Sequence, residues 1–491
     1  MRQKISIPRE LLYQRIARGL EQQIHKDVLK VGDKLPSIRM ICREHGVSMS
    51  TAQYAFYELE RKALIESRPQ SGYYVSDSLR RRLAIPGTSK PGNQAPARQL
   101  SDIYTSVYNN ASQKNLTLFS LGVPAQDLLP IPRLKKGIIE SAKQMPACGT
   151  MYESIQGNEK LRRQIAKWSF SWKGNLSDDD FVISSGCMNA ISYCMMTLAK
   201  AGDTIAVESP CFFGILQLAH SLGLKVLELP THPKTGIEID ALKKAIAGNK
   251  ISLVLLVSNF SNPLGSCMPE EHKKEVVRLL EHHNIPLIED DLYGDIYFGD
   301  SRPTCCKSFD ESGNVLYCGS VSKTLAPGYR VGWVAPGKYK EQVMKLKLFH
   351  TLSSATISNE IIANFLETGR YESHLRKLRQ KLHTTYLQYV RVIGDYFPEE
   401  TRISRPQGGL SLWIECAQRF SRRIPLGPQR LNQLVDFIAD RRDCALADLH
   451  QFQPTHTGAG NKLLHSTIVA MNVVFKKFGP PDAEPAVLAI K

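Results

Sequence analysis

From about Ile103 onward the chain alternates short apolar runs with helical stretches, and this alternation limits the fold more than any other feature of the sequence. The runs are FVISS at 181–185, TIAVESP at 204–210, KVLELP at 225–230, ISLVLLV at 251–257, PLIEDD at 286–291, NVLYCGSVS at 314–322 and RVGWVAP at 330–336. A run such as ISLVLLV has no polar side, so as a strand it must be covered on both faces. Helices between such strands supply the cover, which predicts a layered α/β domain around a largely parallel sheet. No run reaches the roughly 18 apolar residues of a membrane span, so no membrane partner is expected. The opening MRQKISIPRELLYQ lacks the apolar centre of a signal peptide, which predicts a cytoplasmic protein.

Loops that leave the carboxyl ends of parallel strands open on one crevice. Several of the runs end in residues with chemistry to offer. Lys323 follows Ser320 and Ser322, with Arg330 seven residues on. An amine is a nucleophile only when partly neutral, and burial or a neighbouring cation brings that about. Asp290 and Tyr293 close another run, Asn262 follows a third, and Phe212 follows VESP. The turn Ser185-Gly186-Cys187 leads into a helix whose free N–H groups suit a phosphate. Taken singly these are ordinary residues: a lysine in a turn, a strand-end carboxylate or phenol acting as a cap. Together they are an amine, a carboxylate, a phenol, an amide, an aromatic face and an anion nest.

SVSKTLAPGYRVGW and EDDLYGDIYF, with the order of the other motifs, resemble the class I/II aminotransferases, fold-type I enzymes that use pyridoxal 5'-phosphate. The resemblance runs from about residue 117 to 440. It implies that Lys323 is the catalytic lysine and carries the cofactor as a Schiff base. Asp290 would pair with the pyridine nitrogen, Tyr293 and Asn262 would bond the ring's phenolic oxygen, and Phe212 would stack on the ring. Ser185, Gly186, Cys187, Ser320, Ser322 and Arg330 would hold the phosphate. SLGVPAQDLLP and MYESIQGNEKLRRQIAKW match the family's opening segment, and the resemblance implies that Tyr152 reaches the phosphate across the interface of a homodimer.

The first fifth of the chain reads differently. The chain carries a net charge of +16, and residues 1–75 hold 13 Lys/Arg against 8 Asp/Glu. LLYQRIARGLEQQIHKDVL places Leu12, Ile16, Leu20 and Ile24 on one helical stripe. SIRMICREHG is a short helix closed by Gly46, and VSMSTAQYAFYELERKAL a third helix with Ser48 and Ser50 as candidate N-caps. IESRPQSGYYV reads as two strands about a turn. These segments, with VGDKLPSIR, resemble the winged helix-turn-helix of GntR-type repressors across about residues 10–75. The resemblance places Ser48, Ser50, Thr51, Gln53 and Tyr54 on the helix that enters the DNA groove. Gln53 would suit a base edge, Ser37, Arg39 and Arg43 the phosphates, and Arg68, Gln70 and Gly72 the wing. The structural alternative is a small packing domain with merely solvated charges.

The expected organisation is a DNA-binding head at 8–76, a Pro-, Gly- and Arg-rich linker at 77–102, and an aminotransferase-like domain at 103–491 whose small α/β subdomain begins near 345. That combination resembles the MocR subgroup of transcriptional regulators. It implies operator DNA and an amine, an amino acid or the cofactor itself as partners, the alternative being a working aminotransferase with a vestigial head. PQGGLSLWIE at 406–415 keeps the start of the small subdomain, but after Arg442 the chain contains no arginine. Relatives grip the substrate α-carboxylate with an arginine there, so ordinary transamination is not expected, and Lys462 would replace only the charge. A shifted reading frame would produce such a tail. The 11 cysteines form no C-x-x-C pair, and no histidines stand at ligand spacing, so neither disulfides nor a metal site are expected.

Overall fold

The structure is a computed structural model, which describes residues 11–68, 71–76, 83–91, 122–397, 399–416, 472–477 and 487–488. The chain divides into two compact units. One comprises residues up to Leu83 together with Gln380–Glu399, and the other comprises Ala84–Arg379 and Glu400 onward.

In the first unit α1 (Leu12–His25) packs against α3 (Met49–Arg61), with α2 (Ile38–His45) between them in sequence. Ile16, Ala17, Leu20, Ile41, Ala52, Ala55, Phe56 and Leu59 form its core. Leu12 of the expected stripe is 52% exposed, because it begins the helix and projects past that core. The Ser37 hydroxyl accepts from the Met40 N–H and caps α2, which ends on Gly46 at φ 60°. A left-handed φ is open to glycine without the Cβ penalty. Of the two candidate caps on α3 the chain uses Ser48, whose hydroxyl accepts from the Thr51 N–H at 3.2 Å. Ser50 is already inside the helix. The wing is an antiparallel pair, β1 (Ile65–Arg68) with β2 (Gly72–Val75), and an isolated bridge links Tyr74 of β2 to Lys34.

Residues 380–399 complete this unit. Tyr57 meets His383 edge to face and the two are 3.4 Å apart at their polar atoms. Thr384 donates to buried Glu60, and Arg391 pairs with Glu66 at 2.8 Å. Burial pushes the Glu60 carboxyl up and the His383 ring down to about 4, so both are held away from their charged forms.

The second unit is built on an eight-stranded sheet. Its strands are β3 (Val182–Ser184), β4 (Thr204–Ser209), β5 (Lys225–His232), β6 (Gly236–Ile237), β7 (Ile251–Leu256), β8 (Leu287–Asp290), β9 (Val315–Ser320) and β10 (Gly332–Ala335), in the order β3-β10-β9-β8-β7-β4-β5-β6. β10 and β6 run against the other six, so the sheet is largely parallel. The alternation along β7 shows why its sequence is apolar throughout: Leu253 and Leu255 enter one core cluster, Val254 and Leu256 the other. Helices Cys187–Leu198 and Lys340–Thr351 (α6 and α10 after α4, Ile131–Gln144, and α5, Glu159–Ser169) line the first cluster. α7 (Phe213–Ser221) lies with them, and α8 (Ile239–Gly248) and α9 (Glu270–His282) line the second. α11 (Thr356–Glu367) and α12 (Arg370–Tyr396) follow. A smaller sheet joins β11 (Arg402–Ile403), β12 (Ser411–Cys416), β13 (Asn472–Lys477) and β14 (Val487–Leu488) in that order. Among the described residues no helix is long and apolar enough to cross a membrane.

Just beyond β8 the backbone is tied down by buried charge. Asp291 accepts from Arg302, Tyr317 (2.9 Å) and Asn259 (2.9 Å), and Arg302 also reaches Asp295 at 2.6 Å. Removing one partner of such a pair leaves an uncompensated buried charge. Arg302→Leu is therefore expected to cost about 3–5 kcal/mol in denaturant unfolding. Lys243→Ala, which breaks an exposed pair with Glu275, should leave the unfolding midpoint almost unmoved.

Candidate functional site

The carboxyl ends of β3, β4, β7, β8 and β9 point the same way, and the residues that follow them converge. Asp290 is the last residue of β8 and Ser320 the last of β9. Lys323 lies just beyond β9, where its ammonium donates to the Gly122 carbonyl at 2.7 Å. Burial lowers the Lys323 amine to about 8, and Arg330 adds to the shift while Asp290 opposes it. Burial likewise raises Asp290 to about 6 against the Cys187 thiol, which lies 3.2 Å from its Oδ1, the Leu292 N–H and Lys323. Attraction between amine and carboxylate would shift both values the other way; desolvation wins at each.

Tyr293 is buried and its phenol is pushed up chiefly by that burial. Asn262 donates to the Tyr293 hydroxyl at 3.3 Å and accepts from Ser411 at 3.3 Å. Phe212 is the N-cap residue of α7, half-buried, its ring 4.7 Å from that of Phe213.

An oxygen-rich cradle stands beside the amine. The Ser320 hydroxyl lies 2.8 Å from that of Ser322 and donates to the Val331 carbonyl. Arg330, held at φ 54°, donates to Ser322 at 3.2 Å, to the Pro327 carbonyl at 3.2 Å and to the Ser185 carbonyl at 3.2 Å. Gly186 (φ 95°) starts α6, and a Cβ there would be driven into the Arg330 guanidinium. The position is thus closed to other residues for two separate reasons. Cys187 gives this cradle only its backbone, since its thiol turns to Asp290. Tyr152 stands apart, 81% exposed.

Four neighbours of these groups carry no motif of their own. They are Gly122, the Ser411 hydroxyl, Asn189, which accepts from the Ser185 N–H at 3.0 Å, and Glu208, buried with its carboxyl raised by burial and by Asp290. Gly122 lies in SLGVPAQDLLP and Glu208 in VESP, so the segments were visible but not the contacts. The donor set fits pyridoxal phosphate: a partly neutral lysine, a carboxylate for a ring nitrogen, and hydroxyl, guanidinium and helix-start N–H groups for a phosphate.

In the first unit, Arg39 and Arg43 are exposed and have neither a hydrogen bond nor an ion pair among the described residues. Ser37 and Ser48 are helix caps, with Ser50 and Thr51 hydrogen-bonded to Ser48 at 2.8 and 2.9 Å. Gln53 is exposed, and Tyr54 rests its ring on Tyr13. Arg68 lies over the Tyr74 ring at 4.1 Å and bonds Glu66, opposite Gly72 across the wing. Gln70 and Lys462 lie outside the described residues. No cluster among the described residues could hold a metal ion.

Residues 114–436 match the family described as aminotransferase class I and II, and residues 12–75 match the bacterial regulatory proteins of the gntR family. The HTH-type transcriptional regulator YjiR of Escherichia coli (strain K12) is 36% identical over 410 residues, 83% of this chain and 86% of that protein. YdcR of the same strain is 34% identical over equal shares. The chain belongs to the MocR-type regulators. It is a transcriptional regulator with an aminotransferase-like domain. That domain has the fold-type I architecture. It is similar to LysN, the α-aminoadipate aminotransferase of Thermus thermophilus, solved with N-(5'-phosphopyridoxyl)-L-leucine. The two share 21% identity over 71% of this chain and 88% of that one, with a TM-score of 0.58. The multiple substrate aminotransferase of Thermococcus profundus matches at 23% identity over 64% and 78%, also with a TM-score of 0.58.

The lowered lysine gives the regulator a measurable signature. At pH 7 about a tenth of the Lys323 amine is neutral if it titrates near 8, against well under a thousandth for a lysine at its ordinary value. Acylation of Lys323, followed by peptide mass spectrometry, should therefore rise with pH about a midpoint near 8. A midpoint at the reference lysine value of about 10.4 would show that burial does not control the amine.

Proposed function

We propose that the aminotransferase-like domain binds pyridoxal 5'-phosphate at Lys323 and that its ligand state sets the operator affinity of the head. The observation that carries this reading is the buried Lys323 amine, lowered to about 8, beside a buried carboxylate and a hydroxyl–guanidinium cradle. When bound, the cofactor supplies an electron-withdrawing ring able to engage amines. Asp290 would pair with its ring nitrogen, Tyr293 and Asn262 with its phenolic oxygen, and Phe212 with its ring. Ser185, Gly186, Cys187, Ser320, Ser322 and Arg330 would hold the phosphate. The signal is an amine, an amino acid or the cofactor itself, and the effect is a coupling free energy: whatever ligand state favours DNA is favoured by DNA in return.

The assembly in this reading is an isologous homodimer. Tyr152 is 81% exposed and Met151 70% exposed, an apolar pair that a second copy would cover. Each Tyr152 would then complete the phosphate site of the other protomer.

Mixing the purified protein with pyridoxal phosphate should give a yellow absorption band that is missing in Lys323→Ala; no band in the unaltered protein removes the cofactor. Binding to DNA from upstream of its own gene should weaken in Arg39→Ala, with the salt slope of log affinity falling by about one. Loss of the yellow band with release of a keto acid on adding an amino acid would favour the working aminotransferase instead.

A further inference from the structure

The first turn of α3 spends its polar side chains on itself. Ser48 caps the helix and draws in the Ser50 and Thr51 hydroxyls, and Tyr54 leans on Tyr13. Of the exposed side chains in that turn and the next, Gln53 and Met49 make no hydrogen bond or ring contact among the described residues, unlike Ser50 and Tyr54. Met49 is the first residue of α3 and is 46% exposed. The exposed part of its thioether side chain is apolar surface that a partner can still cover.

The site around it states what that surface is. In a helix-turn-helix the opening residues of the second helix face base edges in the major groove. Arg39 and Arg43, exposed and free of partners among the described residues, are available to phosphates, which fix register without reading sequence. Among the four bases only thymine offers an apolar group in that groove, its C5-methyl. We propose that Met49 is a specificity-determining residue that reads thymine by packing on this methyl group. The assignment rests on the DNA-binding reading above and adds the base that the head selects. It also divides the work of the turn: Gln53 supplies hydrogen bonds, Met49 the apolar contact.

Met40 provides an internal control. It is 49% exposed on α2, the helix that crosses the backbone rather than entering the groove.

The test uses the full chain. Duplexes with a random core are selected by the unaltered protein, and each thymine of the selected duplex is then replaced in turn by deoxyuridine, which lacks only the methyl group. The unaltered protein and Met40→Ala should lose about fourfold in affinity at one thymine of each half-site, the value of one buried methyl. Met49→Ala should bind the thymine and deoxyuridine duplexes equally, and Met49→Leu should keep the preference. Full thymine sensitivity in Met49→Ala, or none in the unaltered protein, overturns the assignment while leaving DNA binding intact. Failure to select any sequence would instead sink the DNA-binding reading, and this inference with it.

Discussion

Desolvation of charge at one end of a parallel sheet governs the aminotransferase-like unit. Lys323 and Asp290 are close enough to attract, yet each titrates as though discouraged from ionising, the amine near 8 and the carboxyl near 6. Burial accounts for both, and it follows from the sheet itself. Six strands running one way bring their carboxyl ends together, and helices on both faces exclude water from that edge. The chain does not leave every buried charge in that condition. One residue beyond Asp290, Asp291 is satisfied by Arg302, Tyr317 and Asn259. Adjacent carboxylates thus differ in kind: Asp291 is consumed by the fold, while Asp290 keeps valence for something outside it.

Much of this was legible in the sequence because strand burial writes itself as composition. ISLVLLV is apolar on both sides because both sides are covered, and the same holds for the runs ending in Asp290 and Ser320. The convergence of Lys323, Asp290, Tyr293, Asn262 and Arg330 followed from strand order and chain direction. What was not legible was how shared polar atoms are allocated. Cys187 reads as part of an anion nest, but its thiol goes to Asp290. Ser37 reads as a phosphate contact, and its hydroxyl also caps α2. Arg68 reads as part of the wing, and there it stacks on Tyr74. In each case the motif fixes the position of the residue, and a neighbour that the motif does not specify fixes where its atoms point.

The head carries the same lesson at larger scale. Residues 12–75 contain every helix and strand needed for the winged motif, yet the compact unit also includes residues 380–399. Glu60 and Tyr57 lie on α3 at positions a solvated helix would leave in water. Thr384 and His383 cover them, at the cost of holding a carboxyl and an imidazole away from their charged forms. No periodicity in residues 49–61 announces that cover, because its cause lies more than 300 residues away. It also means that α12 supplies side chains to both units, so the head's own packing depends on chain that follows the aminotransferase-like sheet.

A regulator built this way must keep two kinds of polar group apart. Groups that hold the fold should be saturated, because an unsatisfied buried donor costs about 1–3 kcal/mol. Groups that meet a ligand should be positioned but unspent. Around Lys323 the second kind is made by rigid backbone: Gly186 and Arg330 both sit at positive φ, and the close approach of one excludes any side chain on the other. At the head it is made by removal from pairing, since Arg39, Arg43 and Gln53 stay exposed while the serines beside them close on one another. The two surfaces reach the same end by opposite routes, enclosure in one and exposure in the other. Under the proposed function the difference suits what each would meet, a small molecule that must be taken out of water and a polyanion that brings its water and counterions with it.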